Sequence, residues 1–217
     1  AIQSGPHTVG GTINLVTRPV PKEDGAELDL IAGSDGYKKI AGTVGYNFDS
    51  VGILLEGFRY GSDGFKELDS GEDTGFVRND INVKLRWVPQ SELPQTFMIK
   101  AGFADEDADE TYLGLTDSDF SENPHRRYPA SQLDRFQSEH KQLHMHHSVA
   151  LNSDMDLKTK IYYNEYHRSW NKFDGFMDGP KAQDVLAEPT AYTSAYRGLQ
   201  GLQDSNVGDF TDLTIDV

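Results

Sequence analysis

Val77-Arg78-Asn79-Asp80-Ile81-Asn82-Val83-Lys84-Leu85-Arg86-Trp87 is the stretch whose reading decides the fold. In an extended chain Val77, Ile81, Val83, Leu85 and Trp87 fall on one side, and Arg78, Asp80, Asn82, Lys84 and Arg86 on the other. A ribbon of this kind needs an apolar medium against one face and water against its opposite.

The same period of two continues in both directions. After the prolines at 89 and 94, Phe97, Ile99, Ala101 and Phe103 oppose Thr96, Met98 and Lys100. A run over residues 139–151 turns at Asn152-Ser153-Asp154, and Leu157, Thr159, Ile161 and Tyr163 then oppose Lys158, Lys160, Tyr162, Asn164 and Arg168. Upstream, a run with mixed faces covers residues 51–60, and a cleaner one covers 37–47. Before the turn signal Ser34-Asp35-Gly36, Ala26, Leu28, Leu30 and Ala32 share a side opposite Glu27 and Asp29. A last strand begins near Asp209. The chain therefore reads as all-β, with seven or eight antiparallel strands.

Connection lengths sort by end. Those around Asp49, Ser91 and Ser153 are short, whereas residues 61–74, 105–138 and 171–206 form long polar loops; the turn at Asp35 is the one short exception on the long side. Membrane barrels close one rim with tight turns and carry binding loops on the other, whereas a soluble meander has no reason to sort loops in this way. On that reading Val, Ile, Leu and Phe faces meet lipid, and Arg78, Lys84, Arg86, His144 and His146 face the lumen. The parity is a strong constraint, because Arg or Lys on the lipid side costs about 2 to 4 kcal/mol near mid-membrane.

Composition limits the alternatives. The formal charge is −15, from 35 acidic and 20 basic residues, which repels phosphates and argues against a nucleic-acid partner. No apolar run reaches the length of about 18 residues that a membrane helix needs, a test that barrel strands escape. The 21 glycines and 11% aromatic content suit a sheet with many turns. The chain starts at Ala1 without a leader pattern and stops in an alternating run, so both ends read as cut points of something longer.

At the start, Gly10-Gly11-Thr12-Ile13-Asn14-Leu15-Val16-Thr17-Arg18 precedes Pro19-Val20-Pro21. On physics alone this is a glycine turn, a short strand over Thr12 to Thr17 and a stiff linker. The wording from Gly5 to Thr17, with Gly10, Gly11, Asn14 and Thr17 at its centre, resembles the segment that closes the plug domain of TonB-dependent outer-membrane receptors. That resemblance implies that residues 1–21 are the end of a plug and its linker, and that residues 22–217 open a transmembrane β-barrel. Such barrels hold about 22 strands, so this sheet alone should stay open. It also implies energised import across the outer membrane of a Gram-negative bacterium, driven by the inner-membrane TonB complex through a segment absent here.

The loop from Glu110 to Phe120 and on from Asn123 to Ser131 resembles an outward loop of the branch similar to ferric dicitrate receptors. The implied cargo is a ferric chelate, with iron arriving inside the chelate and no resident cofactor. Tyr112, His125, Arg126, Arg127 and Tyr128 are the candidate ligand-binding residues, since arginine forks and aromatic faces suit an anionic planar chelate. The competing account pairs the arginines with Asp117, Asp119 and Glu122 to order the loop. His140, His144, His146 and His147 invite a metal, but same-face neighbours on a strand lie about 7 Å apart and no cysteine or nearby carboxylate completes a set, so a wet polar row is expected. No G-x-S-x-G, phosphate loop or H-E-x-x-H occurs, and a transporter rather than an enzyme is expected. A sibling receptor for haem, cobalamin or an oligosaccharide, and a soluble carbohydrate-binding module, are the alternatives. The membrane reading fails if Val77, Ile81, Val83 and Leu85 are sandwiched beneath a second sheet or a helix.

Overall fold

A computed structural model describes residues 16–177 and 179–202, together with the backbone of 208–216. The strands are β1 (Gly25–Ala32), β2 (Lys38–Asn47), β3 (Val51–Ser62), β4 (Glu67–Leu68), β5 (Phe76–Trp87), β6 (Gln95–Asp109), β7 (Arg126–Arg127), β8 (Arg135–Asn152), β9 (Met155–Phe176) and β10 (Gly208–Asp216). Short helices α1 (Asp117–Glu122), α2 (Ala182–Ala187) and α3 (Thr193–Leu199) lie in the connections. Eight strands form one antiparallel sheet in the order β1-β2-β3-β5-β6-β8-β9-β10, and β4 pairs with β7 in a separate parallel ribbon. The large sheet is open, with β1 and β10 at its margins.

Local chemistry sets the hairpins. Asp35 and Gly36 both have positive φ, 53° and 66°, the conformation that a two-residue turn between right-twisted strands requires. The backbone of Phe48 exchanges hydrogen bonds with Val51, and Asn152 caps Asp154 N at 3.0 Å, closing the turns at the other end. One rim therefore carries tight turns. At the opposite rim lie the hairpin at 33–37, the long connections 63–75 and 110–134, and the residues described after β9, 179–202.

Several boundaries differ from the sequence reading. Val16 and Thr17 are irregular and exposed, so no strand reaches Thr17; Gly10, Gly11 and Asn14 lie outside the described residues. The acidic stretch that begins at Asp105 is not loop, because β6 runs on to Asp109 and β8 starts at Arg135. Its carboxylates are cross-strand partners: Asn79 donates to Asp105 at 2.8 Å, Arg78 to Glu106 at 2.6 Å and Arg135 to Asp107 at 2.6 Å. In the same way β9 extends to Phe176, and two helices occupy what reads as a Gly, Pro and Asp loop.

The sheet has no core on its apolar side. Ile81, Leu143 and Ile161 are 53%, 52% and 56% exposed, and among the described residues no helix or second sheet covers that face. The buried cluster of the molecule lies at the loop rim instead: Leu113, Tyr128, Phe173, Ala182, Val185 and Leu199 pack together, with Leu115, Phe176 and Tyr196 against them.

Candidate functional site

Three surfaces could carry function: the apolar face, the polar face and the loops at the rim. The apolar face is continuous across strands because the register aligns like with like. Tyr46, Ile53, Leu85, Ile99, Met145 and Ile161 form one row, and Val44, Leu55, Val83, Ala101, Leu143 and Tyr163 the next. Toward the turn rim the belt ends in a stacked row, Trp87 on Phe97 at 5.2 Å and Phe97 on His147 at 4.3 Å. Toward the loop rim it ends in polar side chains, where Arg59 donates to Asn79 at 3.0 Å and Asn79 to Asp105.

This belt does not run perpendicular to the strands. In β1 the apolar run centres on Asp29, opposite Ala41; in β9 it centres on Lys160, which the register relays through His146, Met98, Arg86 and Gly52 to Asn47. From Ala41 to Asn47 is about 20 Å of strand, and the six steps from β1 to β9 cover about 29 Å, so the belt leans by about 35°. Strands of closed barrels tilt from their axis by a similar angle, about 35 to 45°.

The opposite face is polar, and the chain ahead of β1 lies on it. Arg18 reaches Glu27 at 2.6 Å and Glu56 at 3.4 Å, Lys84 Nζ donates to the Arg18 carbonyl, and Val20 is buried against Gly52. A Cβ at Gly52 would come within 2.6 Å of Val20, so glycine there is what lets the strap approach. Leu54, 1% exposed, shares the hollow beneath Arg18 and Pro21. All five residues assigned to this face are on it: Arg78 pairs with Glu106, Arg86 donates to Asn47 Oδ1, His144 bonds Asn164 at 3.0 Å, and His146 stands opposite Lys160.

At the rim, sequence order hides one cluster. Thr116 caps α1 by accepting from Asp119 N at 3.2 Å, and Asp119 then accepts from the hydroxyls of Tyr128 and Tyr196 and from Arg126 Nη1 at 3.0 Å. The Arg126 fork reaches onward to Asp69, at 2.9 and 2.7 Å. One arginine and one carboxylate thus join all three long connections. Burial opposes the charge on Asp119, but the hydrogen bonds from Tyr128, Tyr196 and Thr116 and the nearby Arg126 outweigh it and hold the carboxyl below its usual range. Burial first, and Asp119 second, push the Tyr128 phenol well above its ordinary value. Asp134 is 2% exposed, and burial pushes its carboxyl up although it accepts from Phe173 N at 2.7 Å and Tyr112 N at 3.0 Å.

The five ligand candidates therefore part ways. Arg126 and Tyr128 are committed to the Asp119 cluster, and Arg127 donates to the Pro124 carbonyl at 2.9 Å. The arginine partners are Asp69 and Asp119 rather than Asp117 and Glu122. His125 is exposed and meets Phe65 edge-on at 5.9 Å. Tyr112 is half exposed, with the Lys172 ammonium 4.1 Å from its ring centre. It also borders a cleft of about 640 Å³ lined by Tyr60, Phe65, Lys66, Phe76 and Glu106. Burial, with Arg127 adding to it, lowers the Lys66 pKa. Lys66 and Lys172 escape a sequence reading because nothing local distinguishes them from solvated lysines.

Among the described residues no group of three or more His, Asp or Glu side chains is placed to hold a metal, and no helix is long and apolar enough to cross a membrane, which says nothing about strands. No protein-family model matches this chain, and no curated protein or solved structure matches it.

Proposed function

We propose that this chain is the opening wall of a TonB-dependent outer-membrane receptor that imports a ferric chelate, with ferric dicitrate or a related carboxylate siderophore as cargo. The observation that carries the membrane assignment is the leaning apolar belt, exposed on seven successive strands and ended by a row of stacked aromatics on one side and polar side chains on the other. A contiguous apolar surface of this extent is foreign to a soluble monomer. In a bilayer it is the surface expected, and its slant is that of tilted barrel strands.

The strap supports a plugged interior, since residues 16–22 approach on the polar face. The cargo assignment rests on the resemblance of the 110–131 loop. At the rim, Tyr112 beside Lys172, together with His125, offers the aromatic and cationic groups an anionic planar chelate would meet. Uptake is binding and gated passage, energised by the inner-membrane TonB complex, without covalent chemistry.

The test uses the full-length gene in its native host. The receptor is expected in the outer-membrane fraction with heat-modifiable migration, and its deletion is expected to abolish growth on ferric citrate while sparing other iron sources. Unimpaired growth on ferric citrate with a defect on haem, cobalamin or an oligosaccharide would transfer the assignment to a sibling receptor. A native protein that stays soluble without detergent would overturn it.

A further inference from the structure

At the loop rim, the polar face of β3, β5 and β6 runs into the cleft of about 640 Å³, within the range of about 300 to 1,000 Å³ that small-molecule sites occupy. Four rings border it: Tyr60 and Phe76, which meet edge to face at 5.6 Å, and Phe65 and Tyr112, which stand 56% and 49% exposed. Its walls are fixed by their own hydrogen bonds. The Thr74 hydroxyl donates to the Lys66 carbonyl at 2.7 Å, Asp109 N donates to the Gly75 carbonyl at 2.8 Å, and the β4–β7 ribbon ties residues 67–68 to 126–127.

Much of the polar capacity around the cleft is unspent. Among the described residues the Lys66 ammonium, the Asp109 carboxylate and the phenols of Tyr60 and Tyr112 make no hydrogen bond, and Thr111, 7% exposed, keeps its hydroxyl buried without a partner. Glu110 accepts from Trp170 Nε1 at 2.8 Å with one carboxylate oxygen and keeps the other. Charge here is balanced. Lys66 stands near Arg127 but also near Glu110, Arg78 pairs with Glu106 at 2.6 Å, and Asp109 lies near Arg135 as well as Asp107. An anion entering the cleft would meet the carboxylates of Asp109 and Glu110, and a cation would meet Lys66, so the cleft does not select by charge.

We infer that this cleft is a binding site for a saccharide. A sugar ring is uncharged, presents C–H faces that cover exposed aromatic rings, and carries at its edges hydroxyls that both donate and accept. Phe65 and Tyr112 supply the apolar faces, and Lys66, Asp109, Glu110 and Thr111 supply donors and acceptors. Neither Lys172 nor His125 borders the cleft, so of the groups offered to the chelate only Tyr112 is shared. Membrane and cargo play no part in this assignment.

Protection of Lys66 from an amine-acylating reagent tests it, read by mass spectrometry on the full-length protein purified in mild detergent. Burial lowers the Lys66 pKa and so favours its reactive neutral amine, and Lys22, exposed at the opposite rim, serves as the reference. The probes are maltose, cellobiose and the glycan released from the host's own surface. At least one is expected to slow acylation of Lys66 about fivefold at about four times its Kd, with Lys22 unaffected. Protection by a disaccharide and protection by the surface glycan both support the site and tell its two sources apart. Phe65→Ala, a change at an exposed ring, is expected to weaken the protecting saccharide about tenfold with the thermal unfolding midpoint unchanged. Undiminished protection in Phe65→Ala would overturn the inference. So would protection by citrate or ferric citrate with none by any saccharide, the outcome expected of a chelate subsite, or no protection at all. Failure of the native protein to fractionate with the outer membrane would instead count against the receptor reading alone.

Discussion

The sheet and the loops at its rim solve the same problem in opposite ways. In the loops, Leu113, Phe173, Ala182, Val185 and Leu199 bury their side chains against one another, as a small water-soluble domain does. In the sheet, residues of the same kind such as Leu143 and Ile161 stand more than half exposed, and the strands are joined by ladder hydrogen bonds, cross-strand polar pairs and stacked rings rather than by a buried apolar layer. One region carries its own apolar interior; the other needs a surrounding medium to supply one. On the receptor function proposed above, the edge of the membrane falls close to the row of Arg59, Asn79 and Asp105, where the exposed apolar side chains give way to polar ones.

The sharpest way to break that comparison is to charge the belt. Val83→Arg with Ile99→Arg is expected to cost about 4 to 8 kcal/mol of folded stability in a bilayer, at about 2 to 4 kcal/mol for each arginine. Urea titration of the full-length protein in liposomes measures it. The same pair of exposed substitutions in a water-facing sheet would change stability by only a few tenths of a kcal/mol.

Next in size is the loop core. Leu199→Ala is expected to cost about 2 to 5 kcal/mol of local stability. It should expose residues 110–134 and 179–202 to protease while the full-length protein keeps the heat-modifiable migration expected on the proposed function. Equal loss of both would show that the regions fold as one.

A smaller effect is expected from Asp119→Asn, about 1 to 3 kcal/mol from hydrogen bonds left short of an acceptor, read as faster hydrogen exchange in all three long connections together. Its pH signature has a defined sign. A carboxyl held below its ordinary 3.8 contributes stability that is complete above that value and is lost as the pH falls through the folded-state value, so the wild-type latch loosens only in strong acid. The Asn variant should lose that acid-side dependence.

Much of the sheet is legible in the sequence because its signal is local. Alternation over Ala26 to Ala32, Val77 to Trp87 and Leu157 to Tyr163 marks strands, and Asp35-Gly36 marks a turn whose positive φ values glycine and aspartate tolerate. The acidic residues 105–109 mislead because a carboxylate in a turn and one facing an arginine across a ladder look identical in one dimension. The candidate site is less legible still: Arg126 and Tyr128 have the side chains a ligand site wants, and they serve Asp119 instead.

By itself the sequence determined which faces of the large sheet are apolar and at which rim the long connections fall, since both follow from spacing along the chain; the two-stranded ribbon of β4 and β7 within those connections left no such signal. Only the tertiary structure decided that the apolar rows align into a leaning belt, that Asp69, Asp119, Arg126 and Tyr196 meet, and that Lys84 bonds the carbonyl of Arg18. Those facts depend on register and on contacts between residues dozens of positions apart, where spacing along the chain carries no information about distance in space.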